Sequence, residues 1–392
     1  MTLFVVGLGR INVKNKDGGS IRLYHVLREF IRKGVAVDVC IPERDASNFR
    51  DYGVLARFHL LIDPRWMGDN VVLLYTWRII RGILFTLTYT QHVDIIYAAS
   101  DFWHDFLPAL TYKLIHPRTK LVTCLFLMAP PPWKRYEDMY TNRVSFPSLW
   151  RILFWATQRI TIWVGKYFCD AFLVLNDVDA SALKQQGIPA HNEFVVSMGV
   201  DVPNRFQNKE KKIYDGVFLG RLHPQKGIHD LFMIWQYVVK DSPKARLAIM
   251  GGGSAKDIDV LKHEINASGL AKNVLYHGYV DGVKKYRILR QSKVMLVPSH
   301  YESWGQVIAE GLVFGLPVLC YDLPTTLQIF KNSVITVMRW DKVKFAHQVI
   351  SNLITYGDRQ RERERMNFVQ QFSWKRVSDN DFRILNTIIQ RN

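Results

Sequence analysis

The sequence has few cysteines and no arrangement of them that would hold a disulfide or a metal. Its four cysteines each stand alone in an apolar context, with no CxxC pair: Cys40, Cys124, Cys169 and Cys320. This usage predicts reduced, buried thiols and argues against both a disulfide framework and a zinc site. The sequence also offers no cluster of histidine and cysteine, so we expect no tightly bound metal or other resident cofactor.

Long apolar runs are also missing. No uninterrupted run reaches the roughly 20 residues that span a bilayer. Arg78 and Arg81 interrupt the first candidate, and Arg151 and Arg159 interrupt the second. The first ten residues, MTLFVVGLGR, read as a strand and lack the basic region and cleavage site of a signal peptide. These features predict a cytoplasmic location.

What the sequence has in excess is positive charge. Its 392 residues carry a formal net charge of +17. An excess of this kind favours an anionic partner, namely nucleic acid, a membrane surface or a phosphorylated substrate. The hydrophobic content of 48% and charged content of 22% are those of an ordinary folded protein, and the length suggests two or three domains.

The first half of the chain alternates short apolar runs with helical patterns. Leu3–Gly7 reads as a strand, Gly18 and Gly19 precede a helix that ends at Gly34, and Val35–Ile41 is the next strand. Such a βαβ unit implies a parallel sheet. Later predicted strands are Val54–Leu61, Asp94–Ala98, Lys120–Leu125, Ala171–Leu175 and Glu193–Ser197.

A polar segment, 199–212, then predicts an interdomain linker, after which the alternation restarts. We therefore predict an α/β protein of two Rossmann-like domains, residues 1–204 and 205–373, with a terminal helix at about 374–392 packing back on the first. Ligands of such sheets bind at the carboxyl ends of the strands, here expected in the cleft between the domains. The predicted strands of the second half are Gly216–Leu219, Arg246–Met250, Val274–His277, Val294–Val297 and Pro317–Tyr321.

One stretch, 299–318, carries the strongest functional pattern: SHYESWGQVIAEGLVFGLPV. Ser303 and Gln306 have the spacing of a capping box, which predicts a helix beginning near Trp304. The first N–H groups of that helix, at Gly305, Gln306 and Val307, would then form an anion site.

Two glutamates bracket this predicted anion site. Glu302 precedes the helix and Glu310 lies about two turns into it. Carboxylates beside a phosphate are unfavourable unless they accept hydrogen bonds from hydroxyl groups, as those of a sugar and a ribose would provide. Acidic residues are also common at the solvated start of a helix, so the pair alone does not decide the function.

A second motif, GRLHPQKG at 220–227, places Arg221 and Lys226 in a loop between a strand and a helix. Two cations there can clamp a diphosphate and neutralise it as it leaves. The order Lys226-Gly227-Ile228 excludes a Walker A loop, which needs Gly-Lys followed by Ser or Thr.

Together the two motifs resemble those of glycosyltransferase family 4, and the resemblance covers nearly the whole chain. It implies the GT-B fold, a retaining mechanism and a nucleoside-diphosphate sugar as donor. Carried over, it assigns Arg221 and Lys226 to the diphosphate, Glu302 to the donor sugar and Glu310 to the ribose. The remaining donor-binding positions that it implies are Gly19, Gly220, His277, Tyr279, Val280, Trp304, Gly305, Gln306 and Val307.

The sequence departs from this family in the first domain. Relatives often place a histidine after the strand that corresponds to Leu121–Leu125, whereas the residues at 125–130 are LFLMAP. Asp101 and His104, after another strand, are candidate replacements, with a capping or core role as the alternative. Without a histidine or an evident nucleophile, we expect front-face retention, in which a diphosphate oxygen deprotonates the acceptor.

The acceptor is indicated by the segment at about 143–168. It contains no acidic residue, and its basic residues alternate with tryptophan and phenylalanine. This composition is typical of a helix at an anionic membrane surface and predicts a peripheral protein on the inner face of the membrane. The alternative is a buried helix with snorkelling arginines.

We therefore expect a glycosyltransferase that acts on a lipid or lipid-linked glycan acceptor, with nucleic acid disfavoured as a partner. A soluble glycosyltransferase for a polysaccharide or a small molecule, and a non-catalytic nucleotide-sugar-binding protein, remain as alternatives. The sequence does not identify the base, the sugar or the linkage.

Overall fold

The computed structural model describes residues 1–9, 18–202 and 210–391. The chain divides into two compact units. The first unit comprises Met1–Pro132, Pro147–Gly199 and Trp374–Asn392, and the second comprises Trp133–Phe146 and Val200–Ser373. The sequence did not predict that Trp133–Phe146 would group with the second unit. Residues 203–209 of the predicted linker, and the loop before Gly18, lie outside the described residues.

The first unit is built on a parallel sheet of seven strands in the order β3-β2-β1-β4-β5-β6-β7. The strands are short apolar runs, and the central ones are buried on both faces because helices cover them. Their bounds are β1 Thr2–Val6, β2 Ala36–Pro42, β3 Arg57–Leu61, β4 Ile95–Ala98, β5 Lys120–Cys124, β6 Ala171–Val174 and β7 Glu193–Val195.

Six helices connect these strands. Polar caps start three of them, since the side chains of Asn70, Ser148 and Asn176 each accept a hydrogen bond from a backbone N–H in the first turn. The bounds are α1 Gly18–Arg32, α2 Ala46–Asp51, α3 Val71–Thr88, α4 Trp103–Ile115, α5 Leu149–Phe168 and α6 Asp177–Gln185. Within the described residues, α3 is the one helix that is long and apolar enough to cross a membrane by length and composition.

The second unit has a parallel sheet of six strands in the order β10-β9-β8-β11-β12-β13. Its strands are β8 Tyr214–Leu219, β9 Leu247–Met250, β10 Val274–Tyr276, β11 Ser292–Val297, β12 Val318–Tyr321 and β13 Ile335–Val337. Its helices are α7 Ile228–Asp241, α8 Ala255–Ala267, α9 Gly282–Arg290, α10 Gln306–Val313, α11 Pro324–Phe330, α12 Lys342–Ile354 and α13 Arg359–Val369.

The last helix, α14 (Trp374–Ile389), belongs to the first unit and packs against α1. The fully buried guanidinium of Arg22, on α1, contacts the carboxylate of Asp381 at 2.5 Å and donates a hydrogen bond to the carbonyl of Ser197. The indole of Trp374 stacks on the ring of His25, with ring centroids 4.2 Å apart. The four cysteines are free and buried, as their apolar contexts predicted.

Candidate active site

Two loops of the second unit meet at the carboxyl ends of neighbouring strands. The loop Gly220–Gly227 follows β8, and the segment 299–305 follows β11, which pairs with β8 in the sheet. The backbone N–H of His300 donates to the carbonyl of Gln225 at 2.8 Å, and the Gln225 amide donates to the carbonyl of Tyr301 at 3.2 Å. The two sequence motifs therefore form one site, although 76 positions separate Gln225 from Tyr301.

Gly227 makes this close approach feasible. Its φ is +68°, in the left-handed region, and a Cβ at this position would lie 1.8 Å from the carbonyl oxygen of Pro298. A side chain here would therefore clash with backbone at the end of β11 and strain its own backbone. Lys226, immediately before it, is in this way directed towards the segment after β11.

The ammonium nitrogen of Lys226 lies 2.6 Å from a carboxylate oxygen of Glu302. Both side chains are largely buried, with exposed fractions of 14% and 7%. The backbone of Glu302 is held as well, because the hydroxyl of Thr325 donates to its carbonyl at 2.7 Å. Arg221 is exposed in the same loop. The structure therefore places three of the predicted site residues, Arg221, Lys226 and Glu302, in the two adjacent loops that follow β8 and β11.

The capping prediction at Ser303 is wrong. Helix α10 begins at Gln306, and its cap residue is Gly305, which has a φ of +91°. The reason is tertiary packing, since the indole of Trp304 is buried against the rings of Phe330 and Phe372 and so cannot lie in an exposed first helical turn. The N-terminus of α10 still lies close to Glu302 in sequence, with residues 303–305 between them, and its first N–H groups have no partner within the helix.

Glu310, in α10, pairs with a residue that the sequence did not single out. The ammonium of Lys285, on α9, lies 3.1 Å from its carboxylate and 3.4 Å from that of Asp281. Burial raises the pKa of Glu310, and Lys285 opposes that rise. Burial lowers the pKa of Lys285, but the two carboxylates outweigh it and hold that pKa above its usual value. Lys285 therefore favours the ionised form of Glu310.

The residues predicted for the base pocket directly follow β10. His277 follows β10, and its Nε2 atom is buried with no hydrogen-bond partner in the described part of the chain. Burial, aided by Lys284, lowers the pKa of His277, so the ring is neutral and its nitrogen remains able to bond a ligand. Tyr279 is exposed and Val280 is buried. The N–H of Gly220 is committed to the carbonyl of Met250 at 3.0 Å.

A buried carboxylate behind the Glu302 segment was also missed by the sequence reasoning. Asp230, on α7, accepts hydrogen bonds from the hydroxyl of Tyr321 at 2.8 Å and the ring of His300 at 3.0 Å. Burial raises its pKa, but these hydrogen bonds outweigh burial and the pKa of Asp230 is lowered. The ionised Asp230 thus holds His300 and, through it, the segment that carries Glu302.

Two of the predicted site residues, Gly19 and Asp101, lie in the first unit. Gly19 lies in the first turn of α1. Asp101 is buried and accepts a hydrogen bond at 2.8 Å from Gln158, whose amide also binds the backbone of Leu127 and Ala129. Asp101 thus anchors, through Gln158, the loop in which relatives often carry a histidine. Burial raises the pKa of Asp101 to about 6.

His104 is buried and neutral, because burial and the charge of Arg78 lower its pKa to about 3. Its Nε2 atom has no hydrogen-bond partner within the described ranges. The neighbouring carboxylate of Asp105 accepts from the N–H of Leu8 at 2.6 Å, while the guanidinium of Arg78 donates to the carbonyl of Leu8 at 2.8 Å. Asp105 and Arg78 therefore fix the chain where it leaves β1.

The described residues contain no group of three or more His, Cys, Asp or Glu side chains placed to hold a metal ion. The charges at the site are instead the cations Arg221 and Lys226 and the carboxylates Glu302 and Glu310. Paired cations suit a diphosphate, and paired carboxylates suit hydroxyl groups.

Comparisons with known proteins bear on this arrangement. Two family models match in succession: "Glycosyltransferase Family 4" over residues 16–203 and "Glycosyl transferases group 1" over residues 202–365. An uncharacterised glycosyltransferase of Methanocaldococcus jannaschii is 30% identical over 135 residues, which are 33% of this chain and 31% of that protein. The poly(glycerol-phosphate) alpha-glucosyltransferase of Bacillus subtilis is 31% identical over 115 residues, 29% of this chain and 16% of that enzyme. These matched spans thus cover a third or less of each relative's length.

Among solved structures, Anabaena HepE in complex with UDP-glucose has a TM-score of 0.71 at 14% identity, covering 99% of this chain and 100% of that one. Two successive Rossmann-like units, each built on a parallel sheet, define the GT-B class of glycosyltransferase folds. The chain belongs to glycosyltransferase family 4. The predicted family and fold class are confirmed.

Proposed function

We propose that this protein is a retaining glycosyltransferase that transfers a hexose-type sugar from a nucleoside-diphosphate sugar to a lipid or lipid-linked acceptor at the cytoplasmic membrane surface. The observation that carries the proposal is the contact between Lys226 and Glu302. It brings a cation suited to binding a diphosphate next to a carboxylate suited to binding sugar hydroxyls. Arg221, in the same loop, supplies the second cation. Membership of family 4 supports the choice of a transferase.

In the proposed reaction the bond between the sugar's anomeric carbon and the diphosphate oxygen breaks. A bond from the acceptor oxygen forms on the same face of the sugar, and the acceptor's proton moves to the departing diphosphate oxygen. Arg221 and Lys226 neutralise the charge that develops on the diphosphate. Glu302 accepts hydrogen bonds from sugar hydroxyls, which strengthen as the sugar becomes oxocarbenium-like.

The rest of the donor occupies the neighbouring strand ends. Glu310, whose ionised form Lys285 favours, accepts hydrogen bonds from the ribose hydroxyls. The backbone from Trp304 to Val307, with Gly19 and Gly220, approaches the phosphates, and the residues His277 to Val280 line the base. Asp101 and His104 are the first-unit residues proposed to contribute, Asp101 through Gln158.

The proposed membrane-borne acceptor is supported by α5, which lies within the segment at 143–168. Its buried side is formed by Gln158, Thr161, Ile162 and Gly165. The large apolar side chains of Trp150 and Trp163 are exposed instead, and Arg151 lies beside Trp150. Exposed tryptophan next to arginine suits the interface of an anionic membrane.

Purified protein incubated with UDP-, GDP- and ADP-hexoses tests the proposal. We expect one of them to raise the melting temperature, and release of its nucleoside diphosphate to accelerate when a lipid acceptor in anionic vesicles is added. Donor binding without any turnover would instead support a nucleotide-sugar-binding protein, and turnover only with soluble glycans would support a soluble glycosyltransferase. No metal takes part in the proposal, so loss of activity in EDTA that Mn²⁺ or Mg²⁺ restores would contradict that part of it.

A further inference from the structure

Helix α3 of the first unit has its polarity reversed relative to an ordinary surface helix. Its buried residues are Leu74, Arg78, Gly82 and Thr86. On the opposite side, Ile80, Leu84 and Leu87 each expose between 49% and 52% of their surface. A helix at the surface of a soluble domain normally buries its aliphatic side and exposes its charged one. The exposed aliphatic stripe of α3 would therefore be stabilised by contact with an apolar environment that is not part of the first unit.

The buried stripe shows why α3 cannot leave the first unit. The guanidinium of Arg78 makes two contacts with the carboxylate of Asp63, at 2.6 and 3.0 Å, and donates to the carbonyl of Leu8. Gly82 lies so close to α4 that a Cβ would come within 2.7 Å of Pro108. Pulling Arg78 into a bilayer would break this buried ion pair and leave the carboxylate of Asp63 buried without its cation. Although α3 has the length and composition of a membrane span, it stays on the unit.

Helix α3 itself contains basic residues and no acidic one. No acidic residue occurs between Asp69 and Asp94, while Arg65 and Arg81 are exposed. Arg81 lies over the ring of Trp77, with 5.6 Å from its guanidinium carbon to the ring centroid. Aromatic and basic residues that flank an aliphatic stripe match the interface of an anionic leaflet, where the aliphatic side chains enter the acyl boundary.

A protein partner fits this surface less well. Protein interfaces carry about one hydrogen bond per 100–200 Å² and need polar groups to fix their register. The exposed stripe of α3, by contrast, consists of aliphatic side chains with Thr76 and Thr88 as its polar members. Helix α5, which packs like α3 against α4, also buries polar residues, Gln158 and Thr161, and exposes large apolar ones, Trp150 and Trp163.

We infer that α3 docks the first unit on an anionic bilayer, lying along the interface with Ile80, Leu84 and Leu87 in the acyl boundary of one leaflet. The inference rests on the proposed function only for the membrane-borne acceptor, because docking itself needs no turnover. Vesicle binding and sugar transfer can therefore succeed or fail separately.

The first experiment is co-sedimentation of the full chain with vesicles of phosphatidylcholine, with and without phosphatidylglycerol. We expect binding to the anionic vesicles and at least about tenfold weaker binding of a variant with Ile80→Ser, Leu84→Ser and Leu87→Ser. The matched control replaces aliphatic residues of the second unit that are 43–80% exposed: Val260→Ser, Val343→Ser and Ile354→Ser. Equal binding of both variants, or equal binding to neutral vesicles, would overturn the inference.

The second experiment locates the contact. Because all four native cysteines are buried, Leu84→Cys can be labelled selectively with an environment-sensitive fluorophore. We expect its emission to shift to the blue with anionic vesicles, while a label at Val260→Cys stays unchanged. Binding without a shift at position 84, or a dimer that the triple serine variant dissociates, would mean that α3 faces water or a second copy and would refute the inference. Unchanged turnover of the triple variant on a detergent-dispersed acceptor would show that only docking was altered.

Discussion

The ammonium of Lys226 and the carboxylate of Glu302 lie 2.6 Å apart, so the cation assigned to the diphosphate and the carboxylate assigned to the sugar hold each other in place. An ammonium group has three N–H donors, and Lys226 can therefore contact a phosphate oxygen without giving up Glu302. A donor that binds both groups would thus meet a pair whose geometry is already set. Preorganisation of this kind reduces the cost of ordering charged side chains during the reaction.

We predict that Arg221→Ala and Lys226→Ala each reduce turnover by roughly 30- to 1000-fold, because a lost charge-assisted contact costs about 2–4 kcal/mol of barrier. Their effects on stability should differ. Arg221 is exposed, whereas Lys226→Ala leaves the buried carboxylate of Glu302 without its cation and should lower the melting temperature. Adding Glu302→Gln to Lys226→Ala should restore stability but not activity. Near-normal rates in both single variants would remove the diphosphate assignment.

Glu302→Gln and Glu310→Gln should fail in different ways. The role proposed for Glu302 is to bind the sugar, where hydrogen bonds tighten in the transition state, so kcat should fall more than donor affinity. The role proposed for Glu310 is to bind the ribose, whose contacts change little along the reaction, so its variant should mainly raise the donor KM. Steady-state kinetics and calorimetry with the nucleoside diphosphate measure the two effects. Much weaker binding of the diphosphate by Glu302→Gln alone would show that the roles are reversed.

Lys285→Met should make donor binding depend on pH. Burial raises the pKa of Glu310 and Lys285 opposes that rise, so removing the ammonium raises the pKa further. A protonated Glu310 accepts fewer hydrogen bonds from a ribose, and the donor KM of the variant should therefore be highest at the lowest pH measured and fall as pH rises. Lys262→Met, at an exposed lysine of α8, is the control. A KM raised equally at every pH would point to a purely structural role for Lys285.

Asp105 should give the first unit a stability that falls as pH rises. Burial raises its pKa to about 7, well above the value in an unfolded chain, so the folded state binds the extra proton between about pH 4 and pH 7. The contribution is present at low pH and is lost as pH rises through 7. Asp105→Asn removes this titration. Its stability relative to the wild type should therefore improve by at most about 1.4 kcal/mol per pH unit over that range, measured by urea unfolding at pH 5 and pH 8. A difference that is independent of pH would show that Asp105 is already ionised at pH 5.

Local patterns are sufficient to predict the two motifs and every described strand except β13, because buried parallel strands are short apolar runs and the loops after them carry glycine. Such local patterns do not predict contacts between residues that are distant in sequence. The cap at Ser303 was predicted from spacing alone, yet burial of Trp304 moved the helix start to Gln306. Lys285 gives no local sign that it will meet Glu310, 25 positions later.

The partners of buried polar side chains could not be predicted from the sequence for the same reason. Arg78 was interpreted as an interruption of an apolar run, whereas in the structure it is the polar anchor of α3. Gln158 lies in the segment that the sequence analysis assigned to a membrane surface and was not singled out there, yet it ties Asp101 to the loop after β5. In both cases the side chain's partner lies on another element and leaves no periodic trace in the sequence.

The ion pair between Arg22 and Asp381 sets an order for assembly of the chain. These residues are 359 positions apart, and both side chains are buried in the first unit. During synthesis Arg22 can therefore pair with Asp381 only after α14 has been made. All the strands of its own sheet, β1 to β7, are synthesised long before that. The elements of the second unit from β8 to α13 are continuous in sequence, while its segment Trp133–Phe146 is made earlier. A ribosome that stops before residue 374 would release a first unit with an unpaired guanidinium in its core, and we expect that unit to be a target for chaperones and proteases.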